Sequence, residues 1–317
     1  MGAAADYLVT GGAGFIGSHL VRALLADGAQ VRVLDNFLTG KRANLDDVAA
    51  SPALEIIEGD IRDLATVRDC MKQVRFVLHQ AALPSVPRSV SDPATTLSIG
   101  VDGTLNVLTG AKAAGCERVV YASSSSVYGN TPTLPKVETM LPAPLSPYAV
   151  SKLCGEHLCA TFTHLHGLPT VSLRYFNVFG PRQDPRSQYA AVVPRFVTAI
   201  LAGEPPCIYG DGEQTRDFTY IDNVVQANRL ACEAGEGAWG VAMNVACGRR
   251  VSVAELARRI GTACGSETIS PRHEPSRAGD VRDSLADISR ATEVLGFTPA
   301  VGLDDGLSRT VEWYRTA

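Results

Sequence analysis

The stretch Leu8-Val9-Thr10-Gly11-Gly12-Ala13-Gly14-Phe15-Ile16-Gly17 decides how this chain is read. A short apolar run, Tyr7-Leu8-Val9, enters three glycines at GxxGxxG spacing, and an amphipathic segment with Ile16, Leu20, Val21 and Leu24 on one face leaves them. That order is strand, tight turn, helix. Gly11 supplies the turn, Gly14 lets a pyrophosphate come against the main chain, and Gly17 lets the helix pack closely on the strand. The phosphates then sit on unpaired N–H groups at the positive end of the helix. A glycine triplet alone is a weak signal, its alternative being a tight turn without a ligand. Here Gly28 ends the helix, Val31-Arg32-Val33-Leu34 reads as a second strand, and Asp35 stands at its end. A carboxylate there can hold both hydroxyls of an adenine ribose and repels a 2′-phosphate. NAD rather than NADP is therefore expected, with Lys41 and Arg42 nearby as the opposing signal.

Outward from this unit, strand and helix patterns alternate. Leu54-Glu55-Ile56-Ile57-Glu58 reads as a third strand ending in Gly59-Asp60-Ile61, where Asp60 can meet the adenine amino group. A helical face of Leu64, Val67, Cys70 and Met71 precedes a fourth strand, Phe76-Val77-Leu78-His79. The small residues after it, Gln80-Ala81-Ala82, let backbone approach a cofactor or simply pack tightly. The pattern over 93–114, with Leu97, Val101, Leu105 and Leu108 on one stripe, predicts one long helix stopped by Gly115. Val119-Val120-Tyr121-Ala122 follows as a strand ending in Ser123-Ser124-Ser125-Ser126. A proline-rich loop over 131–147, a helix from Tyr148 to about residue 166 and a sixth strand over 170–173 complete the alternation. The fold class expected is α/β, a Rossmann-like doubly wound parallel sheet over 1–174.

Past Arg174 the elements shorten. A helix over 192–201, a strand Cys207-Ile208-Tyr209, a helix capped by Ser252 with Glu255 and a last helix over 303–314 suggest a smaller mixed α/β lobe over 175–317. Residues 218–245, read as strand, helix and strand, are expected to return to the large sheet.

With 45% hydrophobic and 20% charged residues in 317, the composition is that of an ordinary globular protein. A net charge of -4 with no basic run gives no footprint for nucleic acid or a membrane surface, so the expected partner is a small molecule. No charged-then-apolar leader pattern and no long apolar span is present, and a cytoplasmic protein is expected. The eight cysteines show no CxxC spacing and read as buried free thiols. His164 and His166, two apart, point to different faces of a helix, and no metal is expected.

Tyr148-Ala149-Val150-Ser151-Lys152 places a phenol and an ammonium on one helical face. A phenol with a pKa of about 10 is no base at neutral pH, but a neighbouring lysine cation and a positively charged nicotinamide both favour the phenolate. The serine cluster before it can donate to the same substrate oxygen. YxxxK by itself is close to noise; its position after the fifth strand of a dinucleotide fold, beyond a strand ending in serines, gives it meaning.

On these motifs the chain resembles the extended short-chain dehydrogenase/reductases and, within them, the UDP-hexose 4-epimerases. Further stretches carry the resemblance over nearly the whole chain. They are Ala122 with Val127-Tyr128-Gly129, Leu173-Arg174-Tyr175-Phe176-Asn177-Val178-Phe179-Gly180, Arg216-Asp217-Phe218 and Arg277-Ala278-Gly279-Asp280. The resemblance implies that Tyr148 is the base, that Lys152 lowers its pKa and binds the nicotinamide ribose, and that Ser124, with Ser126 as a second donor, orients the sugar 4-hydroxyl. It implies NAD contacts from Gly11, Gly14, Phe15, Ile16, Gly17, Asp35, Asn36, Phe37, Thr39, Gly40, Asp60, Ile61, Gln80, Ala81, Ala82, Tyr175 and Phe176. For a UDP-sugar it implies Arg216 and Arg277 on the diphosphate, Asp280 on the uridine ribose, Asn177 near the diphosphate and sugar, and Ile208 or Tyr209 near the uracil. Ser85, Arg88, Ala191 and Val192 fall in stretches resembling epimerases that accept N-acetylated sugars. A homodimer paired through the helices at 93–114 and 148–166 is implied as well.

Two departures sharpen the expectation, and a third, at Gly100, bears on a cofactor contact. Relatives that dehydrate or decarboxylate carry Glu where Ser126 stands, and no acid occupies that position or the one before. Ser284 falls where the family has a bulky aromatic or a small residue, and serine leaves room for an N-acetyl group. Gly100 stands where the family often has an Asn that contacts NAD. The alternatives are a UDP-glucuronate 4-epimerase, whose members usually have Thr at the position of Asn177, and a non-catalytic NAD-binding protein of the same fold.

Overall fold

Each apolar run of the first half becomes a strand and each amphipathic stretch between runs a helix. The computed structural model describes residues 4–185, 191–266, 270–275 and 282–316. The first half runs β1 (Ala5–Thr10), α1 (Phe15–Ala26), β2 (Val31–Asp35), β3 (Leu54–Glu58), α2 (Leu64–Cys70), β4 (Val74–His79), α3 (Val86–Ser91), α4 (Pro93–Leu97), α5 (Thr104–Ala114), β5 (Arg118–Ser124), α6 (Pro147–His166) and β6 (Thr170–Tyr175). Then come β7 (Val178–Phe179), α7 (Val192–Leu201), β8 (Cys207–Tyr209), β9 (Thr215–Asp217), β10 (Thr219–Tyr220), α8 (Ile221–Glu233) and β11 (Val241–Val245). The chain closes with β12 (Arg250–Ser252), α9 (Val253–Cys264), β13 (Arg272–Glu274), α10 (Ser289–Leu295) and α11 (Leu303–Thr316).

Seven strands form one parallel sheet in the order β11-β6-β5-β4-β1-β2-β3. Successive residues of the central strands enter different cores: Leu8, Val77 and Val119 pack on one face, Val9, Leu78 and Val120 on the other. With period-two side chains, apolar residues at both parities require helices on both faces, the doubly wound architecture. The strand order reverses between β1 and β4, and in such sheets the crevice outside the strands' carboxyl ends takes the ligand. β11 pairs with β6, so residues 241–245 form the outer strand of the large sheet. The other pairs, β10 with β7, β12 with β9 and β13 with β8, are short ribbons of the second half.

The 93–114 stretch is not the single helix its pattern predicts. A wide turn with π-helical bonding over Ser98–Gly103 separates α4 from α5 and rotates the apolar stripe, so Leu108 is buried while Leu97 and Leu105 are exposed. The cause is local. Thr104 Oγ1 donates to Gly100 O at 2.7 Å, and Gly100 packs so closely on α6 that a Cβ there would stand 2.7 Å from Ser151 Cβ. Glycine at 100 is a packing requirement, and no side chain reaches from it toward a cofactor.

The same turn is pinned to the switch point by His79. Thr10 Oγ1 lies 2.7 Å from its Nδ1 and Thr104 Oγ1 3.0 Å from its Nε2. Because Thr104 gives its proton to Gly100 O, Nε2–H is the donor and Nδ1 accepts from Thr10. Burial drives the His79 pKa down to about 3, so the ring stays neutral.

All eight thiols are free; Cys70, Cys116, Cys159, Cys232 and Cys264 are buried, while Cys154, Cys207 and Cys247 are half-buried. Among the described residues no helix is long and apolar enough to cross a membrane.

Candidate active site

The glycine stretch builds a cradle at the carboxyl end of β1. Gly14 caps α1 without a side-chain bond, which leaves the first N–H groups of the helix facing outward. A Cβ on Gly17 would lie 2.1 Å from Gly11 O, so α1 sits on the loop as only glycine permits. At the end of β2 the Asp35 carboxylate accepts N–H bonds from Ala13 (2.9 Å) and Phe37 (2.8 Å), which fix its orientation. Burial raises its pKa, and those two bonds counter the effect. The cations that sequence places beside it are engaged elsewhere: Lys41 with Asp184 at 2.6 Å, Arg42 with Glu58 and over the Phe37 ring at 4.0 Å. Asp60 accepts from Arg62 and from Asn36 Nδ2, and the Arg62 bond leads the effects that hold its pKa down at about 2.

These groups line one cavity of about 870 Å³, within the range of small-molecule sites. Gly11, Gly14, Phe15, Ile16, Gly17, Asp35, Asn36, Thr39, Gly40, Asp60, Ile61, Gln80, Ala81, Ala82, Ser85, Arg88, Ser124, Tyr148, Lys152, Tyr175, Asn177 and Ala191 all border it. Two of the implied cofactor residues do not border it with their side chains. The Phe176 side chain is fully buried with Val127, Tyr128, Ala246 and Ala286, because strand alternation turns it away from the Tyr175 face. Phe37, at a φ of 55°, lies under Arg42 rather than in the wall.

At the far end of the cavity α6 begins. Ser146 accepts from Ala149 N at 3.2 Å and Pro147 occupies the first turn, so the helix starts where Tyr148 must face the β5 terminus. Ser124 caps the turn after β5 by accepting from Ser126 N at 3.2 Å, and it also hydrogen-bonds Tyr148. Lys152 Nζ donates to Ala122 O at 2.7 Å and lies 5.1 Å from the Tyr121 ring centroid and 5.8 Å from that of Tyr148. Burial lowers the Lys152 pKa to about 8, against Glu156. Tyr148 departs from the expectation: burial raises its pKa, and the Ser124 bond only partly offsets this. A positive charge beside the ring would work against this burial and favour the phenolate. Ser126 also departs. Its hydroxyl is buried without a partner and lies outside the cavity wall, where Ser125 stands instead.

A second cavity, of about 230 Å³, adjoins the first through Asn177, Val178 and Ala191. Val192, Ile208, Tyr209 and Arg216 line it as expected, with Arg195 and Gln214 unforeseen. Asn177, at a φ of 33°, donates from Nδ2 to Asp217 O at 2.9 Å. Arg216 Nη1 donates to the carbonyls of Thr215 and Arg282, both at 2.9 Å. Ser284 donates its N–H to Thr215 O at 3.0 Å and borders neither cavity among the described residues. Arg277 and Asp280 lie outside the described residues.

Two buried groups behind the walls were given no role by the sequence. Asn228 Nδ2 donates to Tyr175 OH at 2.8 Å while its Oδ1 accepts from Gln80 Nε2 at 3.2 Å, so α8 braces two wall residues. Asp217, fully buried, accepts from the N–H groups of Cys247 (3.0 Å) and Ala286 (3.3 Å); burial pushes its pKa up to about 6.

Comparison with known proteins agrees with this geometry. The profile of the NAD dependent epimerase/dehydratase family matches residues 7–246. The chain belongs to that family. It is 41% identical over 311 residues to the UDP-glucose 4-epimerase of Mycolicibacterium smegmatis, covering 97% of this chain and 98% of the relative. The solved UDP-N-acetylglucosamine 4-epimerase of Methanobrevibacter ruminantium M1, in complex with UDP-N-acetylmuramic acid, superposes with a TM-score of 0.94 at 40% identity, covering 99% of each chain. Another branch lies close: the UDP-N-acetyl-alpha-D-glucosaminuronate decarboxylase of Bacillus cytotoxicus is 34% identical over 318 residues, covering 97% of both. As a member of the epimerase/dehydratase family the chain is an NAD-dependent enzyme. The glycine cradle, the uncapped α1 terminus and the oriented Asp35 fit a dinucleotide, whose pyrophosphate Gly11 to Gly17 would hold and whose adenine ribose Asp35 would meet.

Proposed function

We propose that this enzyme is an isomerase that inverts C4 of UDP-hexoses, taking UDP-glucose and UDP-galactose and also UDP-GlcNAc and UDP-GalNAc. The observation that carries the reading is the Ser124, Tyr148 and Lys152 constellation in a cavity continuous with the smaller one around Ile208, Tyr209 and Arg216. Serines rather than acids at 125 and 126 favour it over dehydration or decarboxylation, because no carboxyl group stands there to move a second proton. In this reading residues 1–174 with 218–245 hold NAD and 175–317 supply the nucleotide-sugar lobe.

When bound, NAD supplies the hydride acceptor for C4 and afterwards returns the hydride. Tyr148, as a phenolate stabilised by Lys152, takes the proton of the 4-hydroxyl. Ser124 donates to the same oxygen and keeps it within reach of Tyr148. The 4-keto sugar then turns in the site so that C4 is reduced on its opposite face, and Tyr148 returns the proton to the 4-oxygen. Turning requires loose contacts to the sugar and firm ones to the nucleotide. Arg216, steadied by two carbonyls, suits the diphosphate, and the walls formed by Ile208 and Tyr209 suit the uracil. Arg277 and Asp280 belong to the same proposed set.

The test is to incubate the protein separately with the four UDP-hexoses and with UDP-glucuronate and to separate the products. Interconversion of both hexose pairs is expected; a dehydrated or decarboxylated product, or turnover of the uronate alone, would reject the reading. In the same assay Ser284→Tyr is expected to abolish the acetylated pair selectively. Equal loss of both pairs, or of neither, would overturn the size argument.

A homodimer is proposed from the family resemblance. Val90, Leu97, Leu105, Val150 and Leu165 on α3 to α6 are exposed, and Val90 and Leu165 exceed 60%. Light scattering is expected to give twice the chain mass, and a monomeric mass would refute the pairing.

A further inference from the structure

Tyr148, Lys152 and Glu156 stand at intervals of four on α6 and so share one face. Glu156 is buried, and its carboxylate serves two other strands. Oε1 accepts from the hydroxyl of Ser123 and from Arg174 Nε at 2.8 Å, and Oε2 accepts from Arg174 Nη2 at 2.7 Å. Arg174 Nη1 continues to Tyr128 OH at 2.8 Å, and Tyr128 OH donates to Asn244 Oδ1 at 2.7 Å. Ser123 immediately precedes Ser124, and Arg174 precedes Tyr175, both cavity residues. A buried ion pair is poor support for stability, since desolvation cancels most of its Coulomb attraction, so its placement calls for another account.

We infer that Glu156 is a positioning residue with two arms: its bond to Ser123 fixes the strand end carrying Ser124, and its charge one turn beyond Lys152 keeps that ammonium protonated behind Tyr148. The inference rests on the proposed epimerase reading for its effect on turnover, not for its effect on Lys152.

The groups around Lys152 support the second arm. From α6 come Tyr148, Glu156 and Cys159, from β5 Tyr121, from β4 His79 and from β6 Arg174. Burial keeps His79 uncharged, pushes the Cys159 thiol up to about 12 and raises both tyrosines, so none of these four carries charge near neutrality. Glu156 is the first group opposing the loss of the Lys152 proton.

The experiment reads Lys152 directly. Competitive labelling with a small acylating reagent across a pH series, quantified on the Lys152 peptide, gives its titration midpoint without any substrate. In Glu156→Gln the midpoint is expected to fall by about one pH unit. The alkaline limb of kcat, where Lys152 loses its proton, should shift acidward with it, leaving KM unchanged. Should the single variant not fold, Glu156→Gln with Arg174→Met leaves no charge unpaired, and a smaller fall in the same direction is expected because the carboxylate and its guanidinium partner are removed together. A midpoint equal to that of the parent in the folded variant overturns the charge arm. Ser123→Ala tests the other arm: kcat should drop about tenfold with the midpoint unmoved, and unchanged kcat overturns it. If the midpoint falls while the parent turns over no UDP-hexose, the proposed function has failed and the role of Glu156 stands.

Discussion

Tyr148→Phe is expected to lower kcat by about 10²- to 10⁴-fold while leaving the amount of bound NAD unchanged. The phenol is the group placed to exchange a proton with the sugar hydroxyl, and phenylalanine keeps the ring that walls the cavity. The hydroxyl's one identified hydrogen-bond partner, Ser124, remains anchored by the N–H of Ser126, so the strand end should hold its place. Turnover is followed by product separation, and NAD is measured after release from the denatured protein. Unchanged turnover would remove Tyr148 from the chemistry; loss of NAD along with turnover would make it a cofactor ligand instead.

Gly17→Ala is expected to have the largest effect on the cofactor. Its Cβ would meet Gly11 O at 2.1 Å, Gly12 Cα at 2.8 Å and Gly11 C at 2.9 Å, all main-chain atoms that cannot rotate away. Either α1 lifts from the loop or the loop deforms, and in both cases the N–H cradle loses its shape. Overpacking of this kind costs roughly 1 to 3 kcal/mol. The purified variant should melt lower and retain little NAD. Gly28→Ala is the control. Open space surrounds that position, so only its φ of +83° is strained, and the melting point should fall with NAD retained. Full NAD content in Gly17→Ala would show that the close approach is not needed for binding.

The two variants also mark what a linear reading can reach. The Rossmann-like sheet was legible because each strand is a short apolar run, the cradle's glycines lie within one strand–turn–helix unit, and its carboxylates stand at the ends of the next two strands. Most of the implied cofactor and sugar contacts do border the two cavities, since they sit at the ends of those strands. What escaped was set by contacts distant in sequence. The break between α4 and α5 depends on Gly100 meeting Ser151, and the brace at Asn228 depends on a helix returning from beyond residue 220. The raised pKa of Tyr148 depends on burial, which the YxxxK spacing does not report. Glu156 had a signal in its four-residue step from Lys152, but its partners Ser123 and Arg174 come from two other strands.

The outermost strand has a consequence for biosynthesis. β11 closes the edge of a sheet whose other six strands are complete by Tyr175, so a growing polypeptide must emerge to residue 245 before β6 gains its neighbour. Until then the β6 edge offers a row of unpaired N–H and C=O groups to any passing strand. A ribosome pausing between those two points would prolong that exposure.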